Sequence, residues 1–311
     1  MVPYFSARDV AAAVPPETAF AAIRHAFVAH ARGEWTMQPK LYVTNYPAGD
    51  FRAMPALGGG HALLKWVTSF PGNPALGLPT VAGLVILSNA DTGAVEAILD
   101  AGSVTALRTG AAAVLAADVL GREDAKTAAV VGAGVNGKAA ASTFLALGRE
   151  VSLWDVDLAR AEVAADNLGA TVAATREEAL AADLLVTVTP GQEILLHAES
   201  LRPGQHVSLM GADGPGKAEI AFAEIARARV FCDEWAQASH GGELAAAVEA
   251  GAIGHADVTE LGAVLIGSAI GRSTADEITL FDSTGLAIQD LAIAKAALER
   301  ADELDLVRIE L

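Results

Sequence analysis

Residues 128–142 read AAVVGAGVNGKAAAS: an apolar run, a glycine-rich turn and the start of an alanine-rich helix. Gly132, Gly134 and Gly137 stand in the order G-x-G-x-x-G. The spacing alone is common, and its context is what informs. It follows a run of strand length and opens a helical stretch, and a second strand, VSLW, ends at Asp155, 23 residues after Gly132. Those are the requirements of a dinucleotide-binding turn. The first glycine permits the tight turn, the second lets a pyrophosphate approach the backbone, and the third lets helix and strand pack closely. The helix N-terminus then faces the phosphates. Asp155 is expected to accept hydrogen bonds from the adenosine ribose and to repel a 2′-phosphate, which predicts NAD in preference to NADP. Val135 and Asn136 in the turn, Thr189 after the strand ADLLVTVT, and Thr109 complete the cofactor-binding candidates.

Two decoys fall away. GAGVNGKA and GADGPGKA both satisfy G-x-x-x-x-G-K, but Ala139 and Ala218 stand where a phosphate-binding loop needs a hydroxyl for magnesium. Seven scattered histidines and one cysteine offer no metal-ligand spacing, so no metal is expected.

Around the turn, the short apolar runs TAAVVGAG, EVSLWD, ADLLVTVT, QHVSLMG and ARVFCD alternate with alanine-rich helices. That texture argues for a parallel sheet covered on both faces. The first 120 residues differ. SARDVAAAV and PPETAFAAIRHAFVAHARG read as helices, with Ser6 as N-cap of the first. KLYVTNY, ALLKWVTSF, TVAGLVILS and AVEAILD read as strands. After EITLFDS the chain closes with an amphipathic helix, GLAIQDLAIAKAALERA.

The chain has 311 residues, a formal net charge of -17 and one cysteine, Cys232. The acidity opposes binding to nucleic acid or an anionic membrane surface, since both require a positive footprint. The longest strongly apolar run, VAGLVILS, is too short to span a bilayer, which takes about 20 residues. No signal peptide is read at the N-terminus, and the single cysteine suits a reducing compartment, so a cytoplasmic protein is expected.

One stretch resists this reading. FRAMPALGGGHALLKWV, residues 51–67, carries two isolated cations, Arg52 and Lys65, with no acid between them. Such side chains are seldom buried without a partner.

RAMPA, LKWVTSFPGNPALGLPTV, ALRTGAAA, GADGPGK, QASHGGE and ITLFDSTGLAIQD together resemble the ornithine cyclodeaminase/mu-crystallin family, most closely its archaeal-type alanine dehydrogenase branch. The resemblance runs in collinear order from about Lys40 to Asp290. It implies an α/β fold: a Rossmann-type doubly wound parallel sheet, residues 121–285, inserted into a discontinuous α+β substrate and dimerisation domain, residues 1–120 plus 286–311. It also implies a homodimer whose first-domain strands join across the subunit interface. In the family, cations of the first domain hold the carboxylate of an amino or imino acid; the matching positions are Lys40, Lys65 and Arg108. On this reading the missing partner of the cations is substrate. A partly desolvated Lys65 near other cations should have a lowered pKa and exchange protons with the substrate nitrogen or water. Asp213 matches the position beside the reacting carbon, where it would orient the ammonium or shuttle a proton.

Members of the family share a hydride step and differ in the fate of the imine. Ornithine cyclodeaminases carry a Glu at the position of Arg52, which attracts a distal ammonium. Arg52 would repel it: like charges about 4 Å apart cost on the order of 4 kcal/mol at an effective dielectric near 20, before screening. Arg52 is therefore expected at the far end of the substrate. The resemblance implies an NAD-dependent dehydrogenase of a small amino acid, such as L-alanine/pyruvate plus ammonia. The alternatives are a ketimine reductase for cyclic imino acids, then an ornithine cyclodeaminase, then a non-catalytic mu-crystallin-like binding protein. Ser283 and Thr284 are read as caps of the last helix, and His61 and His240 as structural.

Overall fold

The computed structural model of the chain describes every residue except Gln192, Asp213 and Pro215. Asp213, a catalytic candidate, therefore lies outside the described residues. The chain divides into two compact units, Met1–Arg108 with Leu286–Leu311, and Thr109–Gly285.

In the first unit the strands are β1 (Val2–Phe5), β2 (Thr36–Met37), β3 (Leu41–Asn45), β4 (Gly49–Gly58), β5 (His61–Ser69), β6 (Val81–Asn89) and β7 (Val95–Asp100). They form one sheet with a C-terminal strand, Val307–Ile309, in the order C-terminal strand, β1, β7, β6, β5, β4, β2, with β3 paired to β4. The ladder from β3 and β4 to β7 is antiparallel, and β1 joins β7 in parallel. Sequence reading missed β4, whose proline and terminal glycines look like turns. Pro55 sits inside it without penalty for a local reason. Its carbonyl accepts from Gln38 N, so its absent N–H faces a gap on that edge: β3 pairs no further than Ala53, and β2 begins at Ala56.

Ser6 caps the first helix (Ala7–Ala13) through a reciprocal bond with Asp9, as expected. The last helix (Ala287–Leu298) is not amphipathic as read: ten of its twelve residues are buried. It packs against β4, β5 and the helix Pro16–Ala31, as a core helix buried on nearly every side does.

The second unit holds β8 (Ala128–Val131), β9 (Val151–Trp154), β10 (Thr171–Val172), β11 (Leu184–Thr187), β12 (His206–Leu209), β13 (Arg229–Cys232), β14 (Val258–Glu260) and β15 (Thr279–Asp282). All pair in parallel, in the order β10-β9-β8-β11-β12-β15-β13-β14. Strands β8, β11, β12 and β15 are buried along their whole length, as a sheet covered on both faces requires. The order reverses between β8 and β11, where doubly wound sheets bind ligands beyond the strand ends.

The helix Ala101–Leu120 corrects two expectations. It is 20 residues long and apolar enough to cross a membrane by composition, a longer apolar element than VAGLVILS, but 67% of its apolar stretch is buried inside the chain. It is a core helix. The boundary expected at 120/121 instead falls within it, after Arg108. Its C-terminal half is tied into the second unit. Ala113 O accepts from Ser208 Oγ, and Leu120 O accepts from Arg272 Nε and Thr279 Oγ1. Gly110 lies so close to the helix Val135–Ala146 that an added Cβ would stand 2.5 Å from Ala139 C and Ala140 N.

Gly110→Ala tests this contact. Helix propensity alone favours alanine by about 1 kcal/mol, but both clashing atoms are backbone and cannot swing aside. Overpacking is expected to win, with a net loss of about 1–3 kcal/mol, read as a lower denaturation midpoint at unchanged slope.

Candidate active site

Strand register places the two isolated cations on one face. Lys65 pairs with Met54 and Arg52 with Val67, so Arg52 and Lys65 are diagonal neighbours. Lys65 is 1% exposed. Its Nζ donates to Asp290 Oδ1 at 2.8 Å, lies 2.7 Å from Oδ2, and reaches Thr105 Oγ1 at 3.4 Å. Asp290 is fully buried in the first turn of the last helix, where the helix dipole favours a carboxylate. The expectation that substrate alone would partner Lys65 is thereby corrected: the partner is 225 residues along the chain. Burial drives the Lys65 pKa down, Asp290 opposes the shift, and Arg108 and Arg52 add to it, leaving it at about 8.

Arg108 completes this cluster loosely. Its Nε is 3.8 Å from Asp290 Oδ1 and its Nη1 3.5 Å from Gln289 Oε1. Nε is buried with no hydrogen-bond partner. A buried guanidinium edge in this state can still donate to an anion.

Arg52 also has a protein partner. Its Nε and Nη2 lie 2.6 and 3.2 Å from the two oxygens of Asp50, and the Tyr42 ring lies 5.4 Å away. Asp50 stands two residues earlier on the same strand face, just outside the stretch that looked acid-free. The repulsion expected against a distal ammonium is therefore largely cancelled. Lys40 is half-buried directly before β3.

In the second unit the glycines behave as their spacing demands. Gly132 has φ +107°, and a Cβ on Gly137 would fall 1.7 Å from Gly132 O. Beside Gly134 there is open space. Gly134 caps the helix Val135–Ala146, whose first turn holds no acid, so the amides of Val135, Asn136 and Gly137 open the helix without an intrahelical acceptor.

Asp155 does more than wait for a ribose. Its Oδ2 accepts from Ala133 N at 2.8 Å and its Oδ1 from Asp157 N at 2.9 Å, clamping the glycine turn to the end of β9. Arg160, which looked remote in sequence, reaches 3.5 Å from Oδ1 because the helix returns it. Thr189 is likewise engaged, its N and Oγ1 both donating to Glu219 Oε1. Thr109 is buried, and its Oγ1 has no hydrogen bond.

Sequence reading missed Glu219 and Glu243. Glu219 is fully buried, accepting from Thr187, Thr189 and Gly211, and burial raises its pKa. Glu243 accepts from Glu219 N and Ile220 N, and burial with the Glu219 charge pushes it up to about 8. Each lies in a stretch rich in small residues, GADGPGKAE and SHGGE, a pattern that could have marked them as buried. The capping reading of Ser283 and Thr284 is also corrected. Ser283 Oγ donates to Asp233, Thr284 is buried, and Leu286 is the residue that caps the last helix. His61 bonds Gly59 O and Glu96, and His240 bonds Ser239, as structural histidines do.

Residues 5–305 match the profile of the ornithine cyclodeaminase/mu-crystallin family. The chain belongs to that family. It is 41% identical over 304 residues to the alanine dehydrogenase of Archaeoglobus fulgidus, covering 94% of this chain and 93% of that one. The solved structure of an archaeal alanine dehydrogenase dimer with bound NAD superimposes with a TM-score of 0.92 at 38% identity, over 99% of both chains. The iminosuccinate reductase of Paracoccus denitrificans with NAD+ gives 0.88 at 31% identity, over 97% of both.

For this family member the Lys65 pair makes a stability prediction. A folded pKa near 8, below the usual 10.5, means that the folded chain holds fewer protons than the unfolded chain between those values. The associated stability is present above pH 10.5 and lost as pH falls to about 8. Lys65→Met should flatten that rise, measured by chemical denaturation at about pH 8, 9 and 10.

Proposed function

We propose that this chain is an NAD-dependent oxidoreductase of the CH–NH2 group of a small amino acid, interconverting L-alanine with pyruvate and ammonia. The carrying observation is the buried Lys65–Asp290 pair with the unbonded Nε of Arg108 beside it, in a chain 41% identical to an alanine dehydrogenase.

Arg108 holds the substrate carboxylate: its guanidinium offers a planar fork, and the buried Nε gains the acceptor it lacks. Lys65 moves the proton at Nζ. With a pKa of about 8 it is present in both protonation states near neutral to mildly alkaline pH, so it can take a proton from the amine or water and return it. Asp290 fixes Nζ in place and stabilises its charged form. Lys40 supplies a further cation. Asp213 is assigned to the substrate nitrogen on family resemblance alone.

The residues of the second unit fit a dinucleotide. Open space beside Gly134 admits a pyrophosphate, three amides at the helix start receive it, and the unbonded Oγ1 of Thr109 is a donor awaiting an acceptor. NAD, when bound, supplies the hydride acceptor. Asp155 keeps lone pairs for the ribose while it holds the turn, and its charge disfavours a 2′-phosphate. Thr189, held by Glu219, shapes the loop it begins.

A second copy of the chain completes the assembly. The face of β3 to β6 opposite Lys65 carries no charged side chain and exposes Leu41, Val43, Leu57, Leu64, Trp66 and Leu84. A patch of this kind marks an interface, and the archaeal relative is a dimer.

NADH oxidation should proceed with pyruvate plus ammonia and much less well with cyclic imino acids; the opposite ranking overturns the assignment. Lys65→Ala should lower turnover by about 10²–10⁴-fold with NADH affinity, read by fluorescence titration, nearly unchanged. Light scattering should give a dimer at micromolar concentration and a monomer for Trp66→Glu.

A further inference from the structure

The Arg52–Asp50 pair sits on the same sheet face as Lys65, and neither of its groups is assigned a proton transfer. We infer that Asp50 is a specificity-determining residue, which occupies Arg52 and so restricts the site to substrates with a single carboxylate. This rests on the amino-acid dehydrogenase reading above.

Charge balance is the first support. Arg52 and Asp50 neutralise each other, as do Lys65 and Asp290, which leaves Arg108 as the cation in excess within this group of five. One substrate carboxylate matches the unmade hydrogen bond of the Arg108 Nε. The second support is geometric. Asp50 grips the Nε edge of the guanidinium with both oxygens, and the Tyr42 ring lies against it. Two residues of one strand pair at little entropic cost, so a distal carboxylate from solution competes poorly for that edge. Both partners are largely buried, with side chains 11% and 6% exposed, so an additional carboxylate would also meet the field of Asp50 with little screening. An uncharged substituent such as methyl meets neither obstacle. The distinction is a real one in this family, since the Paracoccus relative is a reductase of iminosuccinate, a dicarboxylate.

The test compares kcat/KM for ammonia plus pyruvate with that for ammonia plus oxaloacetate, in wild type, Asp50→Asn and Asp50→Asn/Arg52→Gln. The wild type should favour pyruvate. Asp50→Asn should shift the ratio toward oxaloacetate by tenfold or more, chiefly through a lower KM for the dicarboxylate, and the double variant should lose that gain. An unchanged ratio in folded Asp50→Asn overturns the proposal. So does a wild type that favours oxaloacetate, which needs no variant to fold. Calorimetric titration with propionate and succinate gives a readout free of turnover: Asp50→Asn should bind succinate at least tenfold more tightly relative to propionate than wild type does. If neither oxo acid is turned over but that shift appears, the dehydrogenase reading fails and the selectivity of Asp50 stands. If pyruvate is turned over and the shift is absent, the reverse holds.

Discussion

The ion pair between Lys65 and Asp290, buried almost completely, constrains how the first unit packs. Two opposite charges buried almost completely are costly to desolvate, and their attraction repays this only with good geometry. Removing one partner of such a pair typically costs about 3–5 kcal/mol. The pair therefore demands that β5 and the last helix hold their relative positions closely, although 225 residues separate them. The burial of that helix on nearly every side makes this possible, because ten of its twelve residues are held within the core. The same pair sets the chemistry. Asp290 holds the lysine ammonium while burial and two arginines weaken its hold on the proton.

The second unit depends on close backbone approach. Gly137 meets Gly132 O and Gly110 meets the helix Val135–Ala146, at distances no side chain would permit. Asp155 then fixes the turn from the other side. Glu219 and Glu243 do similar work where the strands end, gathering backbone amides of Thr189, Gly211 and Ile220 onto buried carboxylates. Such acids stay buried because several donors satisfy them, and burial, with the neighbouring Glu219 carboxylate, raises the proton affinity of Glu243. Carboxyl groups are thus built into the framework of an acidic protein as well as spread over its surface.

Much of this was legible in the chain. The parallel strands read directly as short apolar runs, because strands buried on both faces carry little else. Ser6 announced its helix by its own spacing to Asp9. Strand β4 was hidden because its proline is tolerated only where its neighbours leave a gap, and neighbours are not visible locally. The helix Ala101–Leu120 was hidden because Ser103, Thr105, Arg108 and Thr109 interrupt an otherwise apolar run. Asp290 carried the same signal as Lys65, a lone charge in an apolar element, and reading the two together would have suggested the pair.

By itself the sequence determined the class of fold, the glycine turn and the isolated cations, since these depend on period, spacing and local backbone freedom. Family resemblance then supplied the kind of substrate. Only the tertiary structure decided what each charge faces. Asp290 binds Lys65, Asp50 occupies Arg52, and Asp155, expected to bind a ribose, holds the glycine turn. The physical reason is that a charge's partner is set by distance through space and by loss of water, and neither quantity follows from position along the chain.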